Sequence, residues 1–180
     1  CSLHLPYGNY FSKKICTIGD FSVGKTSLIR RFVEGKFSDR YLSTVGVKIS
    51  RKPLEVTRPT GENTSVQLLI WDLEGHTKFK SIAPSYLQGS SGAFFVADVT
   101  RLETIERLGE HLDLFFSVNP KGVAIAGLNK SDLLEKDKLN YLQDKLKTEQ
   151  GDRLTSMYLT SAKTGENVET MFSQMATLLI

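Results

Sequence analysis

Gly19-Asp20-Phe21-Ser22-Val23-Gly24-Lys25-Thr26 fits G-x-x-x-x-G-K-[ST], the pattern of a loop that cradles nucleotide phosphates. The five residues before the loop's Gly19, Lys14-Ile15-Cys16-Thr17-Ile18, are apolar and β-prone and read as a strand. After it, Leu28, Ile29, Phe32 and Val33 recur at helical spacing. Strand, glycine loop and helix are the context the motif needs. The glycines let the backbone approach phosphates and turn its N–H groups inward. The helix N-terminus adds positive partial charge. Lys25 is placed to reach the β- and γ-phosphates, and Thr26 to offer its hydroxyl to Mg²⁺. Gly19, Phe21, Ser22, Val23, Gly24, Lys25, Thr26 and Ser27 form the expected phosphate-contacting set.

The bulk numbers set limits. A chain of 180 residues is most simply one domain, large enough to bury roughly 70% of its unfolded surface without a disulfide or metal staple. Hydrophobic residues make up 40% and charged residues 24%, ordinary for a globular protein. The net charge of +3 can draw phosphates but does not call for nucleic acid or a membrane surface. Cys1 and Cys16 suggest no disulfide framework, which fits a reducing, cytoplasmic setting; Cys16, inside the first strand, reads as a small core residue. No apolar run approaches the roughly 20 residues of a membrane span. Residues 1–12 have neither a basic start nor an apolar stretch of the signal-peptide kind, and they are expected to form a loose N-terminal extension to a domain over 13–180.

Further along, strands and helices alternate. Phe94–Ala97 and Val123–Ala126 are continuous apolar runs, as parallel strands covered on both faces require. Leu102, Ile105, Leu108, Leu112, Phe115 and Phe116 predict one helix, with Thr100-Arg101-Leu102-Glu103 as its capping box. Leu139, Leu142 and Leu146 mark another; Val168, Met171, Phe172, Met175, Leu178 and Leu179 mark the last. Val47–Val56 and Ser65–Trp71 read as strands joined by a turn at Pro59-Thr60-Gly61, hence antiparallel. Pro53 assigns the first of these to a sheet edge. The expected fold is α/β, a mostly parallel sheet with one antiparallel edge strand, with ligands at the carboxyl ends of the strands.

Three more segments fall where that fold would gather them. Trp71-Asp72-Leu73-Glu74-Gly75 ends a strand with a carboxylate, the place for a Mg²⁺-supporting Asp acting through water, and Gly75 can bring its N–H to a γ-phosphate. Asn129-Lys130-Ser131-Asp132 follows Val123–Leu128. One carboxylate on Asp132 can accept from the ring N1–H and the exocyclic amine of guanine together. Adenine offers no such donor pair, and pairing of this kind discriminates by roughly 10⁴–10⁵. Asn129 and Lys130 would brace the pocket. Thr160-Ser161-Ala162-Lys163 follows a short strand, Ser156–Leu159; the Ala162 N–H could meet the guanine carbonyl and Lys163 could cover the base, with Ser161 beside them. Taken singly, each of these segments could be an ordinary turn or capped loop. Between the phosphate loop and Asp72, the stretch Phe37–Gly46 holds Thr44, a second possible Mg²⁺ hydroxyl on a loop that could close on the γ-phosphate.

In order and spacing these five elements resemble the Ras-like small GTPases over about Lys13–Ile180, and Val45-Gly46-Val47, Trp71-Asp72 and Lys78-Phe79-Lys80-Ser81-Ile82…Ser85-Tyr86 resemble the Rab branch most. The resemblance implies a P-loop NTPase fold with six strands and five helices, helices on both faces, and a GTP/GDP switch with Mg²⁺ held by Thr26 and Thr44. It places Phe37 beside the guanine, Tyr41 in the nucleotide set, and Asn129, Lys130, Asp132, Ala162 and Lys163 on the base. It assigns catalysis to Lys25, Thr44, Gly75 and the residue after D-x-x-G. It puts effector contacts at Ile49, Trp71 and Tyr86, with an exchange factor and an activating protein as further partners, on a monomer that binds no nucleic acid.

The sequence departs from that family at several points. The catalytic Gln is His76, the Ala before the Gly is Glu74, and the loop position usually held by Gly or Ser is Phe21. Ile49 stands where an aromatic is usual, and no prenylation cysteine follows the last helix within these residues, so membrane anchoring is not expected from them. Three readings compete: a GTP-hydrolysing switch, a GTP-holding docking module with negligible turnover, and another phosphate-loop enzyme such as an ATPase or small-molecule kinase. Asn129-Lys130-Ser131-Asp132 argues against the third.

Overall fold

Two apolar runs that need cover on both faces lie at the centre of the sheet. The structure, a computed structural model, describes residues 10–37, 47–73 and 82–180. Its strands are β1 (Tyr10–Ile18), β2 (Val47–Thr57), β3 (Asn63–Leu73), β4 (Gly92–Asp98), β5 (Val123–Asn129) and β6 (Ser156–Leu159). They form one sheet in the order β2-β3-β1-β4-β5-β6, with β2 antiparallel to β3 and every other pair parallel. Every residue of β4 is buried. Phe94 and Val96 project into one apolar cluster and Ala93, Phe95 and Ala97 into the other, because successive strand side chains point to opposite faces.

The first cluster is closed by α1 (Lys25–Glu34) and α6 (Val168–Leu178). Phe32 of α1 stacks on Phe172 of α6 with centroids 4.1 Å apart, and Phe172 tilts over Phe94 at 4.6 Å. The opposite face is covered by α3 (Leu102–Glu106), α4 (Leu108–Val118) and α5 (Lys136–Gln150), where Phe115 meets Phe95 edge-on at 5.6 Å. A four-residue helix, α2 (Pro84–Leu87), packs its Leu87 into the same face.

Most expected elements are present, and Pro53 does lie on the edge strand. Cys16 is a fully buried core residue, with its thiol 2.8 Å from the Ser90 hydroxyl. Three local expectations need correction. β1 starts at Tyr10 rather than Lys14 because it pairs with β3 from Tyr10 onward but with β4 only from Ile15. The stripe from Leu102 to Phe116 is not one helix: the chain breaks at Arg107, which closes α3 and opens α4, and Leu102 is exposed. Counted as one interrupted helix, that pair leaves five α-helices among the described residues. The capping box does not form either. Arg101, not Thr100, is the N-cap; Thr100 donates to the Asp98 carboxylate the N–H that a capping-box Glu103 would accept, and its hydroxyl as well.

β1 has β3 on one side and β4 on the other, so the chain reverses its direction of travel through the sheet there. Ligands in open α/β sheets bind outside the carboxyl ends of the strands at such a point. The phosphate loop leaves β1 at that place.

Candidate nucleotide-binding site

The loop starts and ends on glycines where any Cβ would force a neighbour to move. At Gly19 a Cβ would lie 2.2 Å from the Val96 carbonyl oxygen of β4. At Gly24 the backbone is left-handed, φ +99°, and a Cβ would lie 2.3 Å from Asn129 Nδ2. Between them, Ser22 also takes a positive φ of 64°, a conformation an L-residue adopts only under constraint.

Lys25 opens α1 and turns its side chain back under the loop, donating to the carbonyls of Gly19 at 2.9 Å and Asp20 at 2.8 Å. Burial lowers its pKa to about 8, with Arg101 adding to the fall while Asp72 and Asp20 oppose it. Burial outweighs these carboxylates, so an anion arriving beside Lys25 would stabilise its charged form. Next to it the Thr26 hydroxyl donates to the buried Asp72 carboxylate at 2.5 Å. A hydroxyl and a carboxylate side by side are hard oxygen donors, and Mg²⁺ takes such ligands together with phosphate oxygens. These two residues therefore fit that cation.

The segment after β5 is tied to the loop. Asn129 is buried, donates from Nδ2 to the Val23 carbonyl at 3.0 Å, and accepts from the Thr160 hydroxyl at 3.2 Å. Lys130 takes a left-handed φ of 63° and sends its ammonium back to the Ser22 carbonyl at 3.0 Å and the Asp98 carboxylate at 2.9 Å. Asp98 is nearly inaccessible; burial would push its carboxyl up, but hydrogen bonds from Thr100 and Lys130 outweigh this and hold it below the ordinary range. Asp132 is exposed at the rim and accepts at 2.8 Å from the buried Ser161 hydroxyl, which in turn accepts from the Thr164 N–H at 3.1 Å. Ala162 is buried beside Ser161, and Lys163 is exposed.

The expected residues Gly19 to Ser27, Asp72, Asn129, Lys130, Asp132, Ser161, Ala162 and Lys163 all lie at or just beyond the carboxyl ends of β1, β3, β5 and β6. Phe37 is exposed at the end of the first described stretch. Tyr41, Thr44, Glu74, Gly75 and His76 lie outside the described residues. Ile49 and Trp71 are register partners across β2 and β3, Trp71 is in register with the buried Cys16, and the Cys16 thiol donates to the Tyr86 main-chain carbonyl at 3.6 Å; Ile49 and Tyr86 are exposed. The Lys14 ammonium lies 3.8 Å over the Trp71 ring.

Sequence reading missed several residues around the loop. The Arg101 guanidinium donates two N–H groups to the Phe21 carbonyl, at 3.1 and 3.0 Å. Asp20 is buried and accepts from His111 at 2.9 Å and from Arg107. Asp98 alone carried a signal: like Asp72, it is a carboxylate ending an apolar strand. Arg101, Arg107 and His111 lie some 80 or more residues from the loop, and nothing local marks them.

The Ras family model matches residues 14–180. The GTP-binding protein ypt5 of Schizosaccharomyces pombe is 34% identical over 172 residues, spanning 92% of this chain and 76% of that protein. Glycine loop, buried lysine, hydroxyl–carboxylate pair and a base-side segment lashed to the loop agree with those matches, and the chain belongs to the Ras family as a small GTPase near its Rab branch.

Proposed function

We propose that the chain is a Mg²⁺-dependent switch that alternates between GTP and GDP and hydrolyses GTP slowly. The observation that supports it most is the pair of bonds from Asn129 to Val23 and from Lys130 to Ser22. They make the guanine-recognising segment and the phosphate loop one hydrogen-bonded unit. In this reading Lys25 and the loop N–H groups hold the phosphates, and Asp132 and the Ala162 N–H read the base. Phe37 and Lys163 flank its faces. Thr26 and Thr44 ligate Mg²⁺, with Asp72 acting through water; when bound, that cation neutralises charge on the β- and γ-oxygens. Ile49, Trp71 and Tyr86 form the effector surface.

Specificity is tested by competition titration of a fluorescent GDP. GTP and GDP should displace it far below the ATP concentration needed, and Asp132→Asn should narrow the gap. Comparable ATP and GTP affinities would remove the guanine reading.

A second reading, a GTP-bound docking module with negligible turnover, is favoured by His76 and Phe21. Gln orients the attacking water with an amide that donates and accepts from one end; a neutral imidazole has one donor and one acceptor nitrogen, but they point in different directions and cannot present the same carbonyl-plus-amine pair. Phe21 is 46% exposed, and its ring would obstruct a partner's arginine, a group that contributes 10³–10⁵ in rate. Single-turnover hydrolysis should run at or below about 10⁻⁴ per second and rise in His76→Gln, more so with Phe21 also made small. Fast hydrolysis that is unchanged in His76→Ala would overturn the slow-switch reading.

A further inference from the structure

Three consecutive carbonyls of the phosphate loop are each held by a side chain from elsewhere in the chain. Arg101 holds Phe21, Lys130 holds Ser22, and Asn129 holds Val23. In a trans peptide the carbonyl of one residue and the N–H of the next point opposite ways. Fixing these three carbonyls therefore turns the N–H groups of Ser22, Val23 and Gly24 away from the three donors. Successive N–H groups aimed the same way form an anion-binding nest.

Lys130 and Asn129 belong to the base-side segment already described. Arg101 belongs to neither motif. It comes from the N-cap of α3, and both ends of its guanidinium fork converge on one oxygen, at 3.1 and 3.0 Å. The peptide it grips is the one leading into Ser22, which holds φ +64° without being glycine. A left-handed Ser is disfavoured, and a charge-assisted fork on the adjoining carbonyl offsets that cost.

We infer that Arg101 is a positioning residue for guanine-nucleotide phosphates: it fixes the Phe21–Ser22 peptide so that the Ser22 N–H faces the phosphate cradle despite the strained backbone of Ser22. The Arg101 fork does the work that a glycine at position 22 would make unnecessary. The inference rests on loop 19–26 being the phosphate site.

The test is a double-mutant cycle on the full chain, read by the release rate of a fluorescent GDP and by the ³¹P resonance of the β-phosphate in bound GDP. Arg101→Ala should speed release about tenfold and move the β-phosphate resonance. Arg101→Lys, which keeps the charge but loses the fork, should fall between parent and Arg101→Ala. In a Ser22→Gly background the same Arg101→Ala change should cost about twofold or less. Unchanged release and resonance in Arg101→Ala would overturn the inference, and so would an equal effect in both backgrounds, since a general structural role would not depend on the residue at 22. Lys25→Ala separates this failure from that of the site itself. If Lys25→Ala binds GDP as tightly as the parent, the phosphate site is wrong and the inference falls with it. If Lys25→Ala loses GDP while Arg101→Ala keeps it unaltered, only the role of Arg101 is lost.

Discussion

At Gly24 two constraints meet: a left-handed backbone and an Asn129 amide 2.3 Å from where a Cβ would lie. Gly24→Ala must strain the turn or expel Asn129 from its bond to Val23. Release of bound GDP should rise by at least about tenfold, and unfolding stability should fall by about 1–3 kcal/mol in a denaturant titration. A variant with parental release would show that neither constraint matters. Asp20 gives a pH test. Burial pushes its carboxyl up, yet the hydrogen bonds from His111 and Arg107 outweigh burial, and its folded pKa lies below the ordinary value. The stability it contributes is therefore fully present above the unfolded value of about 3.9 and is lost as pH falls through the folded one. Between pH 5 and 3 the denaturation midpoint of Asp20→Asn should drop less than that of the parent; equal slopes would refute the assignment. The motif residues were legible because each motif is a short run whose chemistry is set by its own spacing. The grips on Phe21 and Asp20 were not, because their donors enter from α3 and α4, which only the folded sheet brings alongside the loop.

Among the elements, α6 buries Val168, Met171, Phe172, Met175 and Ala176, and one ring among them makes aromatic contacts on two sides. Phe172 stacks on Phe32 and tilts over Phe94, joining the last helix to α1 and to β4. Phe172→Ala should cost about 3–5 kcal/mol, while Phe172→Leu, which keeps most of the volume, should cost much less. Similar losses for the two would mean the site collapses around any smaller side chain. Element reading succeeded where a run was apolar throughout, as in β4, or strictly periodic, as in α5. It missed Tyr10–Lys13, where β1 has β3 beside it but not yet β4, and the mixed sequence Tyr-Phe-Ser-Lys carries no continuous apolar signal. It joined α3 to α4 because the spacing of Leu102, Ile105 and Leu108 stays helical across Arg107 while the backbone does not.

At the scale of the molecule, the site collects loops from four strand ends, so a bound nucleotide ties together segments from one end of the chain to the other. A ligand that binds only the folded state at a thousand times its Kd adds about 4 kcal/mol to stability. GDP at that level should raise the melting temperature by roughly 10 °C, and ATP at the same concentration should leave it near the ligand-free value. Equal shifts would point to a phosphate site indifferent to the base. The Phe32–Phe172 stack also bears on how the chain is made. A ribosome adds about 5–20 residues per second, so α1 emerges on the order of ten seconds before the ring that covers it. The phosphate loop is thus made well before it becomes usable, and until α6 arrives the nascent chain must carry an uncovered Phe32 on the helix that follows its own binding loop.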